Sequence, residues 1–460
     1  MSGLFGTLSI ALSSLSVSQQ EMATTSNNVA NANTTGYSRE VPEVTAGAPI
    51  VVGSITLGTG VVLQKIQSLR DPILEIQLNQ ETQQQSKLST ELTQLQQIQT
   101  QFASSTSGIG ADISNFFNSL QQLSPDPSNL ELRQSVLTAA SNLATDFNTT
   151  ANNLQTERGN LDLNVVQSVN QVNTLTSQIA SVNHQISNLQ NAHLDAGSLV
   201  DTQTNLIRQL SGLMDIQVIP TDQGITLATA NGTTLVSGSQ SYALTSQVGI
   251  DGVQHVMAGT EDITGALTGG SLAGLIQIRD QEIPSLGSSL DQLAAGLANG
   301  LNTANKTGVD LYGNLGGNLF VPPPVGGVGA AAALTVSITD PSLIAASSDG
   351  TSGSNGNLAV LAAVATQPLA NGQTPIDSYS SIVFQVGNAT STASADVDSS
   401  TLILQKLQDQ RGSISGVSLD EEASNLIQYQ TAYQAAARVV STVDGLLSDA
   451  INLGLGAALQ

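Results

Sequence analysis

The chain has no cysteine, no tryptophan, three histidines and 12 basic residues among 460. Without thiols, disulfide frameworks, thiolate zinc sites, iron–sulfur ligation and cysteine nucleophiles are excluded. Aromatic residues make up 3%, so any core must be built from Leu, Ile, Val and Ala. Charge is scarce as well, at 10% of residues, where ordinary globular chains carry about 25%. What charge there is leans one way: 35 acidic residues give a net charge of −23 and an isoelectric point near 4.1. Nucleic-acid binding needs clustered Lys and Arg to neutralise phosphates, so no nucleic-acid partner is expected. The same deficit disfavours an anionic membrane surface. The longest apolar run, Leu358 to Ala365, falls far short of the ~18 residues that cross a bilayer, so no membrane insertion is expected. The first basic residue is Arg39, and Ser interrupts the apolar positions from Leu4 to Val17. No secretory signal is therefore legible, and export would use another route.

Helical periodicity is what the sequence has in place of these. Leu4, Leu8, Ala11, Leu15, Ser18, Met22, Thr25 and Val29 alternate 4-3, a heptad stripe expected on a helix from Ser2 to Ala30. Gly36 is the expected turn residue beyond it. Pro42 and Pro49 predict extended chain, and Ile50 to Leu63 alternates as strands do. Asp71-Pro72 reads as an N-cap with proline in the first helical position. Leu88, Leu92, Leu95 and Phe102 continue helical spacing, and a second helix is predicted from about Leu130 to Leu154. Leu161, Val165, Ser168, Val172, Leu175, Ile179, Val182, Ile186 and Leu189 alternate 4-3 without a slip, which predicts a coiled-coil seam. From Ile216 to Ile263 the chain is Thr-, Val- and Gly-rich, with Asn231-Gly232 as a hairpin turn. Gly308 to Gly329 reads as a linker, Leu334 to Ile338 as a strand. At the other end Leu426, Tyr429, Tyr433, Ala436, Val440, Val443 and Leu447 form a second stripe, with Ser418 and Glu421 as a capping box at its start.

The fold class expected is mainly α with β-rich inserts. N- and C-terminal heptad helices pair as a coiled-coil-like inner domain (residues 1–42 with 412–460). A long helical bundle domain takes 43–215 with 270–312 and 358–411. Residues 216–269 form a β-rich outer insert, and 313–357 a Gly/Pro-rich linker with a small β insert.

Catalytic chemistry is not legible. His184, His193 and His255 have no further metal ligands at short spacing, so no metal site or cofactor is expected. Gly269-Gly-Ser-Leu-Ala273 approaches a nucleophile elbow but ends in Ala and has no histidine after it; it reads as a helix start capped by Ser271. Asp396-Val-Asp398 opens like a calcium loop but has Thr401 and Leu407 where Gly and Glu are required, and reads as a helix N-terminus. Asp420-Glu421-Glu422 sits where negative charge offsets a helix dipole. An enzyme is not expected.

Two segments carry a family resemblance. Asn27-Asn28-Val-Ala-Asn31-Ala-Asn33-Thr-Thr-Gly36-Tyr37-Ser-Arg39 resembles the signature of the bacterial flagellar axial family, its rod, hook and hook-associated proteins. Ser415-Gly416-Val-Ser-Leu-Asp420-Glu421-Glu422, continuing to Tyr433 and Arg438, is similar to the C-terminus of the family's hook-associated, hook–filament junction branch. Ile276 to Phe320 and Asp340 to Ala346 extend the likeness, whereas Leu199 to Arg208 follows the family pattern only loosely. The resemblance implies a structural subunit of the flagellum, secreted unfolded by type III export without a cleaved signal peptide. It implies a closed ring of about eleven copies joining hook protein to a second hook–filament junction protein, with both terminal stripes as the assembly seam. A cytosolic export chaperone is implied on the C-terminal helix. A hook or rod protein is the nearest alternative, and a type III-secreted coiled-coil adhesin or translocator the alternative of another class.

Overall fold

The computed structural model describes residues 2–52, 55–102, 108–192, 194–221 and 224–457. The first helix, α1 (Ser2–Asn31), ends at the Asn-rich turn, and Gly36 takes a positive φ of 83° as the turn demands. Extended chain follows as β1 (Glu40–Ala46), β2 (Ile50–Val52), β3 (Ile55–Leu57) and β4 (Val61–Ser68). β1 pairs antiparallel with β4, and β2 with β3. Asp71 caps α2 (Pro72–Phe102), its Oδ1 accepting from the amides of Ile73 at 2.9 Å and Leu74 at 3.2 Å. After α3 (Ile109–Leu123) comes α4 (Leu130–Asn191), 62 residues without a break, hence about 93 Å long. The helices expected at 130–154 and 161–189 are therefore one.

Behind α4 lie α5 (Gly197–Leu213) and an antiparallel sheet of β5 (Gln217–Thr221), β6 (Gly224–Ala228), β7 (Thr234–Ser237) and β8 (Gln240–Ser241) in that order. A second sheet has the order β11-β10-β9, from β9 (Leu244–Val248), β10 (Gln254–Ala258) and β11 (Glu261–Asp262). The β6–β7 turn holds Asn231-Gly232, with Gly232 at φ 89°. Next come α6 (Gly270–Gln277), a π-helical turn at Ile278–Glu282 and α7 (Ile283–Lys306). Pro284 withholds the N–H that an α-ladder needs there, which accounts for the wide turn. The chain closes with the short α8 (Ala330–Ala333), α9 (Gly356–Ala363), α10 (Pro375–Ser415) and α11 (Leu419–Ala457).

Several expectations are corrected. The 161–189 stripe is no coiled-coil seam. Val169, Thr176, Ala180 and Asn183 are buried beside it; its apolar members as far as Ile179 join one core cluster with the two sheets, α6 and α7, while Val182, Ile186 and Leu189 pack on α5 in a second, smaller cluster. About three buried positions every two turns make a broad face, which packs on a globular core. The 313–357 stretch is no linker, since Leu319, Phe320, Ala331, Leu334 and Ile344 lie in that same core. Arg133, almost wholly buried, ties it down by donating from Nη1 to the Ile344 carbonyl at 2.7 Å. The strand expected at 334–338 forms a single bridge, Phe320 to Val336. Ser271 makes no cap; α6 starts at Gly269-Gly270, and Gly270 has a φ of 75° with no room for a Cβ against the Met214 backbone. Asp396 and Asp398 fall in the middle of α10. His193 lies outside the described residues. No described helix is long and apolar enough to cross a membrane.

Candidate functional site: the terminal helix pair and its joint

α1 and α11 pack against each other along their lengths, running antiparallel. Asn28 bonds Glu422 at one end, and Tyr429 meets the field of Glu21 two turns further in. Ala11, Ser18 and Thr25 of the first stripe and Ala436 and Val443 of the second are buried. Leu4, Leu8, Leu15, Met22, Tyr429, Tyr433, Val440 and Leu447 are half-buried. Val29 and Leu426, at 43% and 37% exposure, lie off the face that α1 and α11 share, where Asn28 and Glu422 take the buried places. A 3.6-residue helix drifts about 20° per heptad, so the stripe members at the joint end, the last of the first stripe and the first of the second, rotate away from the partner. Burial raises the pKa of Glu21, and burial followed by the charges of Glu21 and Glu422 raises that of Tyr429. Phe5 and Leu12 on α1, and Val439 and Leu446 on α11, remain exposed on the outer faces.

The signature residues converge on a polar joint beneath this pair. Arg39 donates from Nε to Glu422 Oε1 and from Nη1 to Glu421 Oε2, both at 2.7 Å. Glu422 is 1% exposed and also accepts from Asn28 Nδ2 at 3.1 Å. Asn28 uses its whole amide: Nδ2 donates to the Glu40 carbonyl at 2.8 Å, while Oδ1 accepts from the Glu40 amide at 2.9 Å and the Tyr37 hydroxyl at 2.8 Å. Asn27 reaches Glu40 Oε2 at 3.2 Å, and Asn31 folds back on Asn27. Burial, then the charges of Glu40 and Asp201, push the Tyr37 hydroxyl well above its usual range. Burial also raises Glu40. Asn33 is exposed. Gly416 ends α10, packed so closely on the Gly412 carbonyl that a Cβ would sit 2.2 Å from it. The capping box is only half present. Ser418 Oγ sits 3.5 Å from the Glu421 amide, while the Glu421 carboxylate turns to Arg39 instead of the helix end.

Sequence reasoning missed the other side of the joint. Asp201 of α5 accepts from the Ser38 amide at 3.2 Å and from Arg70 Nη2 at 2.7 Å. Asn205 donates to the Thr35 carbonyl at 3.3 Å. Arg411 of α10 donates to the Gly36 carbonyl at 3.0 Å and to Glu75 of α2 at 2.6 Å, and Glu75 also holds Arg208 at 2.9 Å. The available signal was the 4-3 spacing of Asp201, Asn205 and Arg208, a polar stripe on one face of α5. Among the candidates dismissed for metal binding, His184 is exposed beside Asn188 and His255 sits between Asp251 and Asp262.

A chain whose two ends fold back into one helical pair, locked by polar bonds onto a helical and β-sheet body, has the architecture that the resemblance to flagellar axial proteins implies. The comparisons with known proteins narrow this further. Residues 95–320 match the flagellar hook-associated protein FlgK helical domain. Residues 8–37 match the flagella basal body rod protein family, and 410–453 the C-terminal family of flagellar basal body rod FlgEFG proteins. Flagellar hook-associated protein 1 of Bacillus subtilis is 30% identical over 99% of this chain and all of that protein. Its Escherichia coli counterpart is 26% identical over 96% of this chain and 98% of that protein. The flagellar hook junction protein FlgK of Burkholderia pseudomallei shares the fold, with a TM-score of 0.67 at 18% identity over 74% of this chain and all of that one. This chain belongs to the flagellar hook-associated protein 1 family, the structural proteins associated with the flagellar hook.

Proposed function

We propose that this protein forms the extracellular ring that joins hook to filament and on which the filament assembles. The observation that carries the reading is the terminal pair. Both chain ends are gathered into one helical unit that still exposes Phe5, Leu12, Val439 and Leu446, an apolar surface suited to neighbouring copies. The seam comprises Leu4, Leu8, Ala11, Leu15, Met22, Tyr429, Tyr433, Ala436, Val440, Val443 and Leu447. Val29 and Leu426, turned away from the pair, join the outer face that meets a neighbour. The pair forms the inner domain (1–42 with 412–460), with 43–215, 270–312 and 358–411 as the helical domain and 216–269 as the outer insert. A closed ring of about eleven copies satisfies every identical interface, with hook protein on one side and a second junction protein on the other. Export takes the chain unfolded, so beforehand α11 is not yet paired with α1, and a cytosolic chaperone holds its stripe.

A hook or rod position is the second reading, favoured by the rod-type matches at the two ends; the match at 95–320 favours the junction. Electron microscopy of a strain lacking this protein separates the two. Hooks without filaments, with filament protein shed into the medium, are expected. Absence of hooks would move the protein below the junction, and normal filaments would overturn the reading.

A further inference from the structure

Four of the chain's 12 basic residues, Arg39, Arg70, Arg208 and Arg411, meet at the joint. In a chain this poor in cations, that concentration needs a reason. The loop between α1 and β1 supplies what they act on, because its backbone is held from several sides. The Thr35 carbonyl accepts from Asn205, the Gly36 carbonyl from Arg411, the Ser38 amide donates to Asp201, and the Arg39 amide donates to the Ser415 carbonyl at 2.9 Å. These anchors come from α5, from α10 and from its C-terminus. The Arg39 side chain then grips the first turn of α11. Meanwhile α1 packs on β1, β4 and α11. Apolar packing is non-directional, whereas a guanidinium forked onto carboxylates or carbonyls fixes direction as well as distance.

We propose that the 35–39 loop is a stay that sets the angle of the terminal helix pair on the helical body, with Arg39 and Arg411 as its positioning residues. Arg39 fastens the loop to the pair, and Arg411 fastens it to α10 and, through Glu75, to α2 and α5. Losing either leaves α1 and α11 paired but free to swing on the body. The proposal concerns the isolated chain and does not depend on where that chain is assembled.

The absence of cysteine allows a direct test in the full chain, by pulsed electron–electron distance measurement between two spin labels. One pair, on Ser16→Cys and Gln209→Cys, reads the angle between α1 and α5. A second, on Ser16→Cys and Gln434→Cys, reads the spacing within the terminal pair. All three positions are exposed. Arg39→Gln and Arg411→Gln should each broaden the first distribution while leaving the second as in the parent, and Arg411→Lys should broaden it less than Arg411→Gln. An unchanged first distribution in both Gln variants would overturn the proposal. So would broadening of the second in both, because the arginines would then be holding the helix pair together rather than aiming it.

Discussion

Glu422 is the residue on which the joint turns, because a carboxylate 1% exposed is tolerable only while its charge is paired and its oxygens are bonded. Arg39 supplies the charge and Asn28 a second bond. Arg39→Ala would leave that carboxylate buried without a cation, at a cost of roughly 3 kcal/mol, while Arg39→Lys should recover part of it. Chemical denaturation of the three proteins checks the order. Gly36 offers a second test at the same scale. Its φ of 83° disfavours any side chain, and a Cβ would stand 2.0 Å from Asn205 Oδ1. Gly36→Ala should therefore cost about 1–3 kcal/mol. Asn205→Ala removes the clash but also the bond to the Thr35 carbonyl, so it should cost less stability in the Gly36→Ala background than in the parent. The same cost in both backgrounds would mean that the clash contributes nothing.

Among the elements, the small sheet β9–β10–β11 carries a pH dependence. His255 Nδ1 lies 2.6 Å from Asp262 and Nε2 3.1 Å from Asp251. The bond to Asp262 lifts the His255 pKa above its model-compound 6.5 against the opposing effect of burial, and Asp251 adds to the rise. A raised histidine pKa means that the stabilisation is complete below about pH 6.5 and is lost as pH rises through the folded value. Amide exchange in β10, compared with His255→Gln, should show protection falling across that window in the parent alone. Elements are also where sequence and structure separate most clearly. The boundaries of α1 and the Asp71-Pro72 start of α2 were legible because caps, proline and periodicity are local. The partner of a stripe is not local. Leu161 to Leu189 shows the same 4-3 spacing as the terminal helices yet packs on sheets, α7 and, from Val182 onward, α5, because Val169, Thr176 and Ala180 widen its face. The 313–357 segment looked like a linker because Gly and Pro suppress regular structure, although its scattered Leu, Phe and Ala still fill the core. At the joint, the axial signature marked Asn27 to Arg39 and the trio 420–422. Glu75, Asp201 and Arg411 come from distant segments and only folding brings them in.

Taken as one molecule, the protein is strongly acidic, and the terminal pair offered to neighbours shares that sign. The two terminal helices carry seven charged residues, Glu21, Asp420, Glu421, Glu422, Arg438, Asp444 and Asp449, a net of −5, and Arg39 bonds two of the acids while cancelling one charge. The other −18 of the −23 sits on the body, so copies side by side repel at both parts. That repulsion is screened as the Debye length falls from about 30 Å at 0.01 M to about 10 Å at 0.1 M salt. Self-association measured by sedimentation should strengthen with ionic strength, and weakening would point to ion pairs between copies instead. The terminal pair as assembly seam is tested most directly by complementing a deletion strain with Val440→Asp and with Gln430→Ala, after confirming that both proteins are exported. Val440 is half-buried against α1 and Gln430 is exposed. A carboxylate at 440 costs roughly 1–3 kcal/mol at every copy in the ring, whereas the change at 430 stays within about 0.5 kcal/mol. The account predicts filaments of normal number with Gln430→Ala and hooks without filaments with Val440→Asp. Normal filaments on secreted Val440→Asp protein would contradict it.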